Sequence, residues 1–257
     1  MINLLLALAG LTLTAPAPIQ AAGAVQSAKP QAVKGRAAKS RTVKSRTAKV
    51  QPPVPTEAGT ADTDDGPAQS AEATRVADWI ASSGDNASLP YVIVDKNGAA
   101  LFVYDANGTP LAKGPVLIGV ATGDEATPGI GSKNLAEIGP AEKTTPAGRF
   151  LAKFGLAAGK QKVLWVDYAT SVALHPIPPG ANKKEHRRDR MLSPTPDDNR
   201  ITFGCINVPI AIYNKTVRPL FLKKGGYVYV LPDTKPIEEV FPRLLISAAA
   251  GGGATGD

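Results

Sequence analysis

Tyr91-Val92-Ile93-Val94-Asp95-Lys96-Asn97-Gly98-Ala99-Ala100-Leu101-Phe102-Val103-Tyr104 decides the fold. Tyr91 to Val94 is a short β-branched and aromatic run, which suits a strand. Asn97-Gly98 is a strong hairpin signal, since both residues tolerate positive φ. Ala100 to Tyr104 is the returning strand, with Leu101 and Val103 alternating against Phe102 and Tyr104. Two apolar strands closed by a tight turn need further strands to cover them. The rest of the chain offers these. Asn107-Gly108 makes a second turn, and Pro115 to Ala121 reads as a third strand. Thr144 to Phe150 is a turn leading into a strand. Lys162–Asp167, Ser171–Leu174 and Tyr227–Leu231 read as three more. Ala73 to Ser83 has helical spacing through Val76, Trp79 and Ile80, ending at Gly84. No βαβ alternation, phosphate-cradling glycine loop or zinc spacing is present. The pattern predicts a mainly β, mostly antiparallel domain with few helices.

The flanks set the limits of that domain. Leu4 to Thr14 is an apolar run too short to span a bilayer, followed by Pro16, Pro18 and the small residues Ala21, Ala22 and Ala24. Residues 1–24 are read as a signal peptide, which predicts export to the periplasm or cell envelope. Between Gly23 and Val50 stand eight basic residues and no acid, accounting for the whole of the net charge of +7. They fall in a five-residue repeat, Lys34-Gly35-Arg36, Lys39-Ser40-Arg41, Lys44-Ser45-Arg46, which does not keep to one face of a helix. Pro52, Pro53, Pro55 and an acidic stretch follow. Residues 25–72 are therefore expected to be a disordered linker. With no aromatic residue to stack bases, it is not read as a nucleic-acid site. An anionic envelope polymer is the partner its charge suits. The folded domain is placed at 73–248. Its last part, Asp233 to Ser247, is expected to be a helix split at Pro242, followed by a flexible tail at 249–257.

The chemistry centres on Arg200-Ile201-Thr202-Phe203-Gly204-Cys205-Ile206-Asn207-Val208-Pro209. Cys205 is the only cysteine, so it closes no disulfide within the chain and serves packing or reactivity. Arg200 to Thr202 read as a strand end, and Gly204 lets the backbone bend. Asn207 is read as the cap of a helix with Pro209 in its first turn, which would set Cys205 at the positive end of a helix dipole. A thiol acting as a nucleophile needs a base. The two histidines are His175, ending an alternating strand before Pro176, and His186, within Lys183-Lys184-Glu185-His186-Arg187-Arg188-Asp189-Arg190. His175 is the preferred base because a strand end aims a side chain well. His186 is the alternative.

These motifs resemble the L,D-transpeptidase catalytic domain of bacterial peptidoglycan enzymes. Leu174-His175 matches that family's strand-end histidine. Thr202, Gly204, Cys205, Ile206 and Asn207 match its Ser/Thr-His-Gly-Cys pattern followed by an apolar residue and Asn or Arg. Val92 to Tyr104, Asn107-Gly108, Val116 to Gly119 and Thr145-Pro146-Ala147-Gly148-Arg149-Phe150 fit in order, and the likeness covers about residues 90 to 232. The resemblance departs in two places. Phe203 stands where the family usually has His, and the stretch from Pro176 to Asn199 is longer than usual. The resemblance implies an antiparallel β-sandwich or barrel with a helix after the catalytic cysteine. It implies acyl transfer on peptidoglycan stem peptides, with Cys205 as nucleophile and His175 as base. Backbone N–H groups around Gly204 and Cys205 would hold the oxyanion, Thr202 and Asn207 would fix the loop, and Phe203 and Arg149 are candidates for substrate contact. It requires no metal or organic cofactor. Three functions stay open: transpeptidase, thiol hydrolase on the same scaffold, or non-catalytic wall-binding module.

Overall fold

The hairpin forms where Asn97-Gly98 predicts it, but the positive φ of its turn falls on Ala99, at 46°, and not on Asn97 or Gly98. Strand β1 (Tyr91–Asp95) pairs antiparallel with β2 (Ala100–Tyr104), Ile93 opposite Phe102. Every residue of both strands is buried. The reason is that each face is covered. Val92, Val94, Leu101 and Val103 point into one apolar cluster. Tyr91, Ile93, Phe102 and Tyr104 point into a second, together with Val76, Trp79 and Ile80 of helix α1 (Ala71–Ser83) and Ile237, Phe241 and Leu244 near the C-terminus. Helix α1 starts where Ser70 accepts the Ala73 N–H at 3.1 Å and stops at Gly84, in the left-handed conformation at φ 66°.

The coordinates are a computed structural model and describe residues 66–157 and 161–245. These lie within one unit, Thr60–Asp257. The expected signal peptide, nearly all of the basic and acidic linker and the C-terminal tail fall outside the described residues.

Eight strands form the main sheet. Besides β1 and β2 these are β3 (Pro110–Pro115), β5 (Gly148–Leu156), β6 (Lys162–Asp167), β7 (Val172–Pro176), β9 (Ile206–Val208) and β10 (Gly226–Val230), in the order β3-β2-β1-β10-β5-β6-β7-β9. The sheet curls until it nearly closes: Leu117, just past β3, exchanges both backbone hydrogen bonds with Asn207 of β9 at 2.9 Å. Residues facing inward from all eight strands then share the first apolar cluster. Strand β4 (Ile118–Gly119) pairs with β8 (Arg200–Thr202) in a separate two-stranded sheet.

The architecture is mainly β with a few short helices, as the turn and strand pattern predicts. One expectation is corrected. The third strand is Pro110–Pro115, one element earlier than the run Pro115–Ala121, of which Ile118–Gly119 alone is a strand. Val116, Leu117 and Ile118 of that run are buried, and Val120 is exposed. The sheet is mostly antiparallel, as expected, with two parallel pairings, β1 with β10 and β7 with β9. The expected C-terminal helix is a short α5 (Ile237–Val240), broken at Phe241-Pro242 as proline requires.

Candidate active site

The parallel pairing of β7 with β9 builds the site. Leu174 lies opposite Ile206, and His175 opposite Asn207. Leu174, Ile206 and Val208 face the core. With a period of two, His175 and Asn207 turn to the other face. Cys205 immediately precedes β9, so it stands one strand across and two residues back from His175. Strand spacing puts their Cα atoms roughly 8 Å apart.

The imidazole has a defined tautomer. His175 Nδ1 lies 2.7 Å from the Pro176 carbonyl oxygen. A carbonyl only accepts, so Nδ1 carries the proton and Nε2 keeps its lone pair. Burial lowers the His175 pKa. The Pro176 hydrogen bond opposes this, and the charge of Arg187 adds to it. The ring is therefore neutral near pH 7, with Nε2 free to take a proton.

Cys205 is half-buried. Its thiol is directed at the Ser171 carbonyl, 3.7 Å away, on the turn before β7. Burial raises its pKa, against the Ala173 N–H and the Arg187 charge, which both favour the thiolate. Sulfur and imidazole thus share one face of adjacent strands, both neutral, with no hydrogen bond between them in this rotamer. The Ser171 carbonyl accepts only from the protonated thiol, so deprotonation removes the contact that holds the sulfur away from His175.

The loop carrying Cys205 is fixed by two threonines. The Thr202 hydroxyl donates to the Cys205 carbonyl at 2.6 Å and accepts the Gly204 N–H at 3.1 Å. The Thr145 hydroxyl donates to the Gly204 carbonyl at 2.8 Å and accepts the Gly119 N–H at 2.9 Å. Gly204 has φ 126°, and a Cβ there would meet the Thr144 carbonyl at 2.6 Å, so only glycine fits. Behind Thr145 lies a buried charge network. Lys96 Nζ donates to the Thr145 carbonyl at 3.1 Å and contacts Asp124 at 2.8 Å and Asp233 at 3.2 Å. Asp233 also pairs with Arg200 of β8 at 2.7 Å.

Several expected roles are corrected by these contacts. Asn207 caps no helix: it lies within β9, and the next helix, α3 (Ile210–Ile212), begins after Pro209. Its side-chain Oδ1 accepts from Arg187 at 2.9 Å instead. Cys205 is consequently not at a helix N-terminus, which accords with its raised pKa. The Gly204 N–H is committed to Thr202 and is not an open oxyanion donor. Arg149 is held by Asp85, through Nε at 2.5 Å and through the backbone carbonyl, and stacks over Tyr227 at 3.7 Å. It therefore reads as structural rather than substrate-binding. His186 is 69% exposed in its side chain and touches Asp189 at 3.4 Å, not the cysteine. Phe203 is 38% exposed, and Lys143 Nζ sits 3.8 Å from its ring centroid. The ring is thus engaged in a cation–π contact. Arg187 was missed in the sequence. It lies in a run of charges that reads as solvated, yet its side chain is only 14% exposed.

No family model matches the chain, and no curated protein matches it. Solved structures that resemble it include an L,D-transpeptidase of Enterococcus faecium, 16% identical over 55% of this chain and 49% of that one, with a TM-score of 0.30. An L,D-transpeptidase of Stackebrandtia nassauensis is 13% identical over 66% of this chain and 61% of its own, at 0.33. The helical cell shape determining protein of Campylobacter jejuni is 12% identical over 71% and 65%, at 0.38. The matched part spans about half the length of the Enterococcus faecium enzyme.

Proposed function

We propose that this protein is an exported cysteine acyltransferase of the L,D-transpeptidase type, acting on peptidoglycan stem peptides. The observation that carries the reading is the His175 tautomer. An imidazole with Nδ1–H fixed on a backbone carbonyl and Nε2 open, one strand from a half-buried lone cysteine, is the arrangement of a base awaiting a thiol proton. The motifs around Leu174-His175 and Gly204-Cys205-Ile206-Asn207 supply the substrate class.

In this reading His175 Nε2 takes the Cys205 proton as the sulfur rotates off the Ser171 carbonyl. The sulfur attacks the carbonyl carbon that follows the diamino acid of a donor tetrapeptide. The C–S bond forms, and the oxyanion is held by the Cys205 N–H, the Gly204 N–H being taken. One such donor is worth about 3 kcal/mol of barrier. The C–N bond then breaks as His175 returns the proton to the departing amine, leaving a thioester. The amine of a second stem peptide resolves it and restores the thiol.

Incubation with a carbapenem followed by intact-mass measurement tests the thiol. One covalent adduct on the wild type, absent in Cys205→Ala, is expected; no adduct on the wild type sinks the acyl-enzyme. Incubation with muropeptides then separates the two outcomes of the thioester. Cross-linked products mark the transpeptidase, and shortened monomers mark a hydrolase.

A further inference from the structure

Beside the thiol and the imidazole stands a cation that the steps above leave unused. Arg187 opens helix α2 (Arg187–Met191), in the long segment between β7 and β8. Its Nε donates to Glu185 at 2.7 Å, and its Nη1 donates to Asn207 Oδ1 at 2.9 Å. Asn207 is fully buried and is the cross-strand partner of His175. A guanidinium has five N–H groups in a rigid fork. Two are committed here, and the others have no partner among the described residues. The Asn207 Nδ2 group is also buried without a partner. Unused donors, one set charged, thus gather at the strand end that carries the base. Glu185 takes Nε alone and leaves the fork open.

We propose that Arg187, oriented by Asn207, binds the C-terminal carboxylate of the acyl donor. This rests on the acyl-transfer reading of Cys205 and His175. The chemistry is consistent with it. The carboxylate of a terminal residue is two bonds from the scissile nitrogen, and His175 must reach that nitrogen to return its proton. A carboxylate site beside His175 therefore lies on the leaving-group side. A planar fork meets a carboxylate with two parallel hydrogen bonds, which a lysine does not reproduce.

The test uses Cys205→Ala protein, which binds donor without turnover, and calorimetry with a stem tetrapeptide and its C-terminal amide. The free acid is expected to bind tighter by roughly 10- to 100-fold, the worth of hydrogen bonds to a charged group. Adding Arg187→Gln should collapse that ratio to within about threefold while leaving amide affinity in place. Arg187→Lys should recover part of it. Arg188→Gln, an exposed neighbour, should leave it unchanged. Equal affinity for acid and amide, binding of neither, or a ratio that survives Arg187→Gln overturns the proposal. If Arg187→Gln does not fold, the acid-to-amide ratio of the Cys205→Ala protein still decides. Acid preference without any Cys205 acylation in the wild type would sink the acyl-transfer reading and leave the carboxylate site. Acylation without acid preference would do the reverse.

Discussion

His175 and Cys205 are both neutral near pH 7, which constrains the acyl transfer proposed for them. A preformed thiolate–imidazolium pair would need the opposite shifts. With the thiol raised from 9.0 and the imidazole lowered from 6.5, proton transfer to Nε2 belongs to the attack itself. Replacing His175 by Ala should slow carbapenem acylation by about 10²–10⁴-fold. His186→Ala, at an exposed ring beside Asp189, should stay within about twofold. Mass-spectrometric time courses check both, and a larger loss in the second variant would reverse the assignment. The pH dependence follows from the same groups. Arg187 is the charge acting on both His175 and Cys205, and it lowers both pKa values. Its removal raises both. In Arg187→Gln the acid limb of acylation should move to higher pH than in the wild type. The midpoint for alkylation of Cys205 by iodoacetamide should also rise. An acid limb that stays in place would show that Arg187 does not act electrostatically on the base.

The element that matters most is the turn from Thr202 to Cys205, because it joins β8 of one sheet to β9 of the other. Its geometry is held by Thr202, Thr145 and a glycine at φ 126°. Gly204→Ala puts a methyl 2.6 Å from the Thr144 carbonyl in a conformation that L-residues rarely adopt. We expect a loss of about 1–3 kcal/mol in thermal unfolding, as for other strained backbone positions, together with loss of Cys205 acylation. A variant with wild-type stability and rate would show that the loop relaxes freely. This turn also marks how far the sequence carries. The β1–β2 hairpin, the Gly84 stop and the strand position of His175 are legible because local chemistry decides them. The role of Asn207 was not. Asn before Val-Pro has the composition of a helix cap, but its backbone is taken by Leu117 and its side chain by Arg187, both distant in sequence. Arg187 was hidden for the same reason: a charge within a charged run reads as solvated until a strand edge is brought under it.

At the scale of the whole fold, the site is suspended from a buried ionic network. Lys96, on the first hairpin, reaches the Thr145 carbonyl, while Thr145 holds Gly204. Asp124 and Asp233 neutralise Lys96, and Arg200 ties Asp233 to β8. Removing one partner leaves a buried charge unpaired, which costs about 3–5 kcal/mol. Lys96→Met should therefore lower Tm by roughly 10 °C and slow acylation, although it lies on the first hairpin and not in the turn that carries Cys205. The network also sets acid stability, with a definite sign. Burial pushes the Asp124 carboxyl up, but hydrogen bonds from Lys96, the Thr234 hydroxyl and the Asp233 and Lys235 N–H groups outweigh it and hold the pKa well below 3.8. A depressed folded-state pKa gives stability that is present above the unfolded value and lost as pH falls towards the folded one. The wild type should hold its Tm from neutral pH down to about pH 4 and lose it progressively below. Asp124→Asn should start lower and decline less, so that the gap between the two proteins narrows on acidification. Thermal melts at pH 7 and pH 3 measure that gap. A gap of the same size at both would mean that Asp124 stabilises the fold by shape alone, and that its charge does not anchor the loop beneath Cys205.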